Sequence, residues 1–469
     1  MSITETAIDI NMLEKEIYSN CCALGCEVLK SILANIDEKL MSERDKSAYR
    51  HKGKRATVLK TIMGEVEYER AIYQHKDENG SVSFVYLLDE ALGLDSVGFI
   101  SDTLAQRIAE ASCELSYRKA AQTVSELTGQ RISHSGAWNV TQALGKRLDV
   151  AECEAAELAK KNQGCGMEET KLLFEEQDGV FLNLQGEDRK KMGKSAEMKI
   201  AIAYSGAKQS GQKRYNLADK VACANFEGID SFFTRKEGVI AARYNVDEIE
   251  MRILNGDGAS WIKRSITDET VHYQLDTFHR NKMVLHYITD PDMRKIIFGL
   301  LYSQQIEPLL AIIAGYAECS SDLKERGNYL QLLNYFQNNK EGLVSYKLRG
   351  LDLPLPNEGV EYRGCGAMES NVYSIIGRRM KNRRANWSIQ GGNNLARLLT
   401  LKATGRLVDV LSGFVSTTLP PQYAEQVETV LSAAKVPQRV GKGYNGFTHA
   451  TIPVKQKWMK DLFSIKTLC

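Results

Sequence analysis

Between residues 171 and 282 the chain runs through an order of patterns that constrains its fold more than any other feature. KLLFEEQDGVFLNLQ (171–185), AEMKIAIAYSG (196–206) and KRYNLADKVACANFEG (213–228) read as three successive strands. In the first, Leu172, Phe174, Val180, Leu182 and Leu184 share one parity, the period of two expected of a strand with a buried face. A helical segment follows over about 230–249. MRILNGDGASW (251–261) then supplies a short strand, a glycine-rich turn and a helix start, and VHYQLDTFHRNK (271–282) a further strand leading into a helix. Residues 283–355 are helical with little strand character and interrupt the order as an insertion. GAMESNVYSIIGRRMKNRRANWS (366–388) resumes it as a helix.

Three strands, a helix, then alternating strand and helix is the order of a ribonuclease H-like core. The expected fold is therefore α/β, with that core over 168–282 and 356–400, an all-α insertion at 283–355 and a C-terminal region at 401–469. A mainly helical region precedes it. Residues 1–50 form a helical segment, and 51–99 a small β-containing region. There Val66, Tyr68 and Arg70 alternate with Glu65, Glu67 and Glu69, and the DENGS turn at 77–81 suggests a β-hairpin. Residues 100–160 turn helical, and 116–148 divide into two helices around Gly129, with Ser133 or Ser135 placed to cap the second. The second helix sets Trp138, Val140 and Leu144 against a polar side with His134, Asn139, Gln142, Lys146 and Arg147. This fits a helix-turn-helix that reads DNA through Asn139, Gln142 and Arg147. A plain helical hairpin is the alternative.

Composition narrows the function classes. A chain of 469 residues is long enough for several domains. A net charge of +2 excludes a polycation, so contact with nucleic acid has to rest on local patches. The ten cysteines show no paired zinc spacing, which leaves them as reduced thiols. The N-terminus lacks the basic and apolar parts of a signal peptide, and the longest apolar run, LLAIIAGYA at 309–317, is too short to cross a bilayer. A soluble cytoplasmic protein with no membrane partner is expected.

Three acids stand on faces that packing would normally keep apolar. Asp178 shares the parity of the buried face of the first strand, as does Glu176. Asp257 lies between Gly256 and Gly258 where a strand ends, and glycines there permit close approach of a ligand. Glu369 continues by one turn the apolar stripe of Val372, Tyr373, Ile376 and Met380. A buried carboxylate without a partner is costly. Three from separate elements are tolerable together when divalent cations share their charge. Oxygen ligands suit Mg²⁺ or Mn²⁺, and a pair of ions about 3.5–4 Å apart would serve both oxygens of an in-line displacement. Singly, such an Asp also suits a turn, and such a Glu complements a helix dipole.

The blocks QDGVFLNLQ, NGDGASWIK, QLDTFHRNK and RGCGAMESNVYSIIGRRMKNRRANWSIQGGNN, with LLDEALGLDSVGFIS at 87–101, resemble those of bacterial ISLre-type insertion-sequence transposases (the ISLre-two group). These are distantly similar to Mutator-type DDE transposases, which also carry a helical insertion before the third acid. The resemblance spans nearly the whole chain. It implies Asp178, Asp257 and Glu369 as the catalytic, metal-binding triad, and it singles out Asp276 and His279 as support. In the Mutator-type relatives a Cys-x-x-His stands at that place, and here Asp276 replaces the Cys. The implied activity is cutting and joining of DNA at insertion-sequence ends, with water and then a 3′-OH as nucleophile. The implied partners are double-stranded DNA, at terminal inverted repeats and at the target, and further copies of the chain in a homo-oligomer. The implied location is the bacterial nucleoid. Arg378, Arg379, Arg383 and Arg384, beyond Glu369 on its helix, are expected along the DNA backbone; a solvated basic helix end is the plainer alternative. A structure-selective nuclease of the same fold and a catalytically silent DNA-binding derivative remain as alternative functions.

Overall fold

A computed structural model describes residues 9–413, apart from 77–79, 94–98, 129, 162–165 and 383–384. The described residues fall into two compact units, one with the chain up to Ala105 and Ser125–Arg131, the other with Gln106–Val124 and Ile132–Ser412.

In the first unit, α1 (Ile10–Glu43) starts at Asp9, whose side chain accepts from the Asn11 N–H. β1 (Tyr49–Lys60), β2 (Glu65–Lys76) and β3 (Val82–Val85) form an antiparallel sheet in that order. The alternation in β2 holds: Val66, Tyr68 and Arg70 are buried while Glu65, Glu67 and Glu69 are exposed. The basic segment before it is itself a strand, so the expected hairpin has three strands. β1 is an edge strand with only Leu59 buried, and such a strand carries charges where a hydrophobic pattern would otherwise reveal it. Leu33 and Ile36 of α1, Leu59, Val66 and Tyr68 of the sheet, and Leu88 of α2 (Leu87–Leu92) make the core. The buried Arg70 is matched by an ion pair to Asp89 of α2.

The second unit takes in most of α3 (Asp102–Glu114) and α4 (Tyr117–Thr128), and all of α5 (His134–Lys160). Ser133 caps α5, accepting from the Gly136 N–H at 2.9 Å. The buried stripe of α5 is Ala137, Val140, Thr141, Leu144, Gly145 and Leu148. Trp138, expected on that side, lies one residue off the stripe and is 46% exposed. After α5 come β4 (Leu172–Asn183), α6 (Gly186–Met192), β5 (Ser195–Tyr204), β6 (Gly206–Gly211), β7 (Arg214–Ala218), β8 (Val221–Asn225), α7 (Ile229–Ala241), β9 (Met251–Gly256), α8 (Ser260–Lys263), β10 (Val271–Leu275) and α9 (Thr277–Tyr287). Five strands form one mixed sheet in the order β10-β9-β4-β5-β8. β4, β5 and β8 run antiparallel in succession, and β9 and β10 run parallel to β4 and to each other. The segment expected as the third strand is divided. β7 pairs with β6 in a separate ribbon, the chain turns at Asp219 with φ +53°, and only β8 joins the main sheet.

β4 lies at the centre and is buried on both faces. Leu173 packs with Ile240 and Tyr244 on one, whereas the Phe174 ring lies 5.4, 5.6 and 5.5 Å from those of Tyr204, Tyr346 and Tyr362 on the other. The helical insertion, α10 (Pro291–Tyr302), α11 (Ile306–Cys319), α12 (Leu323–Asn338) and α13 (Lys340–Leu343), shares a core with the sheet's edge, in which Leu275, Val284, Ile297, Leu309, Leu332 and Phe336 meet Trp261. The chain then continues through α14 (Met368–Asn371), a π-helix (Val372–Lys381), α15 (Ile389–Ala403) and α16 (Leu407–Gly413). Gly145 of α5 sits against α15: a Cβ there would lie 2.4 Å from Asn394 Cβ. No helix among the described residues is long and apolar enough to cross a membrane.

Candidate active site

The register of the sheet brings the acids to one level. Glu176 pairs with Asn255 and Gly256 with Leu275, the last pairs of β4 with β9 and of β9 with β10. The next residues along, Asp257 and Asp276, therefore stand at the C-terminal ends of β9 and β10, level with Asp178 in β4. Asp276 caps α9, accepting the His279 N–H at 3.0 Å. The same carboxylate oxygen lies 3.1 Å from His279 Nδ1, which leaves Nε2 turned toward Asp178, 4.0 Å from its Oδ2. Glu369 enters from α14. One side-chain ligand atom from each of Asp178, His279 and Glu369 lies within 4.8 Å of the other two. Asp257 is outside this group of three, but its charge acts on both Asp178 and His279.

The electrostatics follow from this crowding. Asp178 is only 7% exposed. Burial, with repulsion from Asp257 and Glu369, pushes its pKa up to about 6, against the opposing pull of His279 and the Gly179 N–H. The hydrogen bond to Asp276, with the charges of Asp178, Asp276 and Asp257, raises His279 above its ordinary value although burial opposes it. Burial works against Asp276, yet bonds from His279 and Asn255 hold its carboxyl below the usual range. Among the described residues, no Lys or Arg forms an ion pair with Asp178, Asp257 or Glu369. Clustered carboxylates without a basic partner, beside an imidazole whose far nitrogen is tied to an acid, are a donor set that fits a divalent cation.

Glu369 reaches the site differently from the expected apolar stripe. Its helix takes π geometry from Val372, and the i→i+5 step turns Ile375, Ile376, Gly377 and Met380 inward. Tyr373 is left 58% exposed. Met368 is buried, and Glu369 is on the accessible side. What holds this turn is Glu176, a residue that the strand pattern could not separate from Asp178. Its side chain is fully buried. It accepts from the N–H groups of Gly366 (3.0 Å), Ala367 (3.2 Å) and Met368 (3.1 Å), from Tyr204 Oη (2.6 Å) and from Asn255 Nδ2 (2.9 Å). Burial raises its pKa, while the hydrogen bonds oppose that rise. Glu176 thus ties the backbone just ahead of Glu369 to the central strand. Its signal was the shared parity with Asp178, and a one-dimensional pattern cannot say which acid faces donors and which a cleft.

The residues expected to touch DNA are placed unequally. Asn139 is exposed. Gln142 accepts from Asn394 Nδ2 of α15 at 2.8 Å, so its carbonyl is engaged inside the unit. Arg147 is half-buried. Arg378 pairs with Glu114 of α3. Arg379 donates to the Ser112 carbonyl at 2.7 Å and lies 5.2 Å from the ring centres of both Tyr117 and Trp387. Of the expected phosphate contacts, then, Arg378 is exposed and paired with Glu114, whereas Arg379 packs against α3 and its neighbours. Neighbouring segments supplied partners that helical spacing could not reveal. Arg383 and Arg384 lie outside the described residues.

These features define a mixed α/β protein in which the central strand, the ends of the strands beside it and two helices bring together carboxylates and a histidine. A family model described as "Uncharacterised protein family (UPF0236)" matches residues 3–410, and the chain belongs to that family. It is 23% identical over 473 residues to the "UPF0236 protein in vanSb 3'region" of Streptococcus gallolyticus, covering 97% of this chain and 98% of the relative. Two UPF0236 proteins of Caldanaerobacter subterraneus subsp. tengcongensis are 23% and 22% identical over 414 residues, each alignment covering 86% of this chain and 79% of the relative.

Proposed function

We propose that this protein is a DDE-type DNA transposase with a ribonuclease H-like core, of the ISLre type, which cuts and joins DNA at insertion-sequence ends. The observation that carries the proposal is the meeting of Asp178, His279 and Glu369 within 4.8 Å, with Asp257 at the adjacent strand end. The strand order β10-β9-β4-β5-β8, with three antiparallel strands and two parallel to the first, supports the core assignment. The names of two Caldanaerobacter relatives each join several designations, as suits a gene present in many copies.

Asp178, Glu369 and Asp257 would hold Mg²⁺ or Mn²⁺, with His279 Nε2 facing the same space. A divalent cation bound there would supply Lewis-acid activation of water, and then of a 3′-OH, for attack on a phosphodiester. Glu176 keeps Glu369 in place. Asp276 orients His279, and the imidazole, when protonated, offsets the charge of Asp178 while the site awaits its ligands.

The test is a cleavage and strand-transfer assay on DNA carrying the gene's flanking repeats, with Mg²⁺ or Mn²⁺. Wild type is expected to cut and to join, whereas Asp178→Asn and Glu369→Gln keep DNA binding and lose both steps. Cutting without joining would favour a structure-selective nuclease. Binding with neither step under any metal would leave a catalytically silent DNA-binding derivative.

A further inference from the structure

A cavity of about 590 Å³ opens beside the Glu369 turn, within the second unit, and Ser370 and Asn371 form part of its wall. Its charged lining is Lys220, Arg243, Arg406 and Asp219, three cations to one carboxylate. That carboxylate is already committed: Asp219 pairs with Arg243 at 3.2 Å and with Lys208 at 3.4 Å. Arg243 also pairs with Glu168 at 3.1 Å. Lys220 and Arg406 are different. Both are half-buried, and among the described residues neither has a carboxylate at ion-pair distance. Lys220 Nζ instead donates to a neutral acceptor, Asn371 Oδ1, at 3.0 Å. Asn371 is itself fixed, because its Nδ2 donates to the Ala367 carbonyl at 2.8 Å. Burial lowers the pKa of both cations; at Arg406 the charge of Arg243 adds to this and that of Asp409 opposes it. Two cations held part-way out of water around one hollow favour an anion as occupant.

The cavity shares its wall with the turn that presents Glu369. An extended chain with repeated negative charge is a ligand that would suit both the cavity and the neighbouring acids. We propose that this cavity binds a phosphate of a nucleic-acid strand, a short way along from the linkage that reaches the acid cluster, with Lys220 and Arg406 as its charged contacts and Asn371 as the group that positions Lys220. The proposal rests on the phosphoryl-transfer reading of the acid cluster, and it assigns to Lys220 and Arg406 a backbone contact besides those expected of the basic helix end.

The experiment measures binding of the full chain to a fluorescein-labelled duplex by anisotropy, in EDTA, over a range of salt concentrations. Removing one cation that neutralises a phosphate flattens the salt slope by about 0.9. Lys220→Gln with Arg406→Gln is expected to flatten it by up to about 1.8 and to weaken binding roughly tenfold or more near 0.1 M salt. Lys220→Arg with Arg406→Lys keeps the charges and is expected to retain the wild-type slope, which separates loss of charge from loss of fold. Competition with inorganic pyrophosphate distinguishes a small-anion site: if pyrophosphate stabilises the wild type but not the Gln pair, while duplex binding is the same in both, the cavity takes small anions and the proposal fails. An unchanged slope in a folded Gln pair also overturns it, even where cleavage depends on Asp178. A flattened slope in a chain that shows no cleavage upholds the cavity and overturns only the catalytic reading.

Discussion

The charge crowding at Asp178 has a consequence that needs no substrate. Its pKa stands at about 6 in the folded chain against an ordinary 3.8. The folded state therefore binds this proton more tightly than the unfolded state, and stability falls as pH rises from about 4 through 6. The full difference corresponds to roughly 3 kcal/mol above pH 6, at about 1.4 kcal/mol for each tenfold change in proton affinity. Asn cannot ionise and carries no such loss. Without metal, Asp178→Asn is expected to match the pH trend of the wild type below about pH 4, to gain on it as pH rises through about 6, and to hold a constant advantage above that. Urea unfolding in EDTA at a series of pH values measures this. At about 1–2 °C per kcal/mol for a unit of this size, the thermal midpoint would rise by roughly 3–6 °C at pH 8. Mg²⁺ or Mn²⁺ is then expected to stabilise the wild type, by binding only its folded form, and to leave the variant unmoved. Parallel stability–pH curves for the two proteins, or a variant that loses ground as pH rises, would refute the assignment of Asp178 as a buried acid among acids.

Other substitutions probe the frame around the site. Glu176→Ala strands three backbone N–H groups, Tyr204 Oη and Asn255 Nδ2, and is expected to cost about 3–5 kcal/mol in denaturant unfolding. Gly145→Ala forces a methyl to within 2.4 Å of Asn394 Cβ and is expected to cost about 1–3 kcal/mol, since the contact is between two helices. Arg379→Ala is expected to lower stability by about 1–3 kcal/mol through removal of the Ser112 bond and the ring packing, and to leave the salt dependence of DNA binding unchanged.

The succession β4, β5, α7, β9, β10 and α9, the alternation in β2, the cap at Ser133 and the acid at the end of β9 could all be recognised from the sequence. Each depends on residues near one another in the chain, or on a period that a strand or helix imposes on its own side chains. Packing decided the rest. Glu176 and Asp178 share one face of β4, so parity alone could not separate Glu176, which meets five donors, from Asp178, which faces the cluster. The π geometry after Asn371 changed which side chains turn inward, and an apolar stripe drawn at α-helical spacing misplaced Tyr373 and Glu369. His279 joined Asp178 and Glu369 because Asp276 both caps α9 and holds the imidazole. Arg378 and Arg379 met Glu114 and Ser112, more than 250 positions away in the chain. A local pattern records the period of an element, but the partner of a charge is set by whatever segment the fold brings against it.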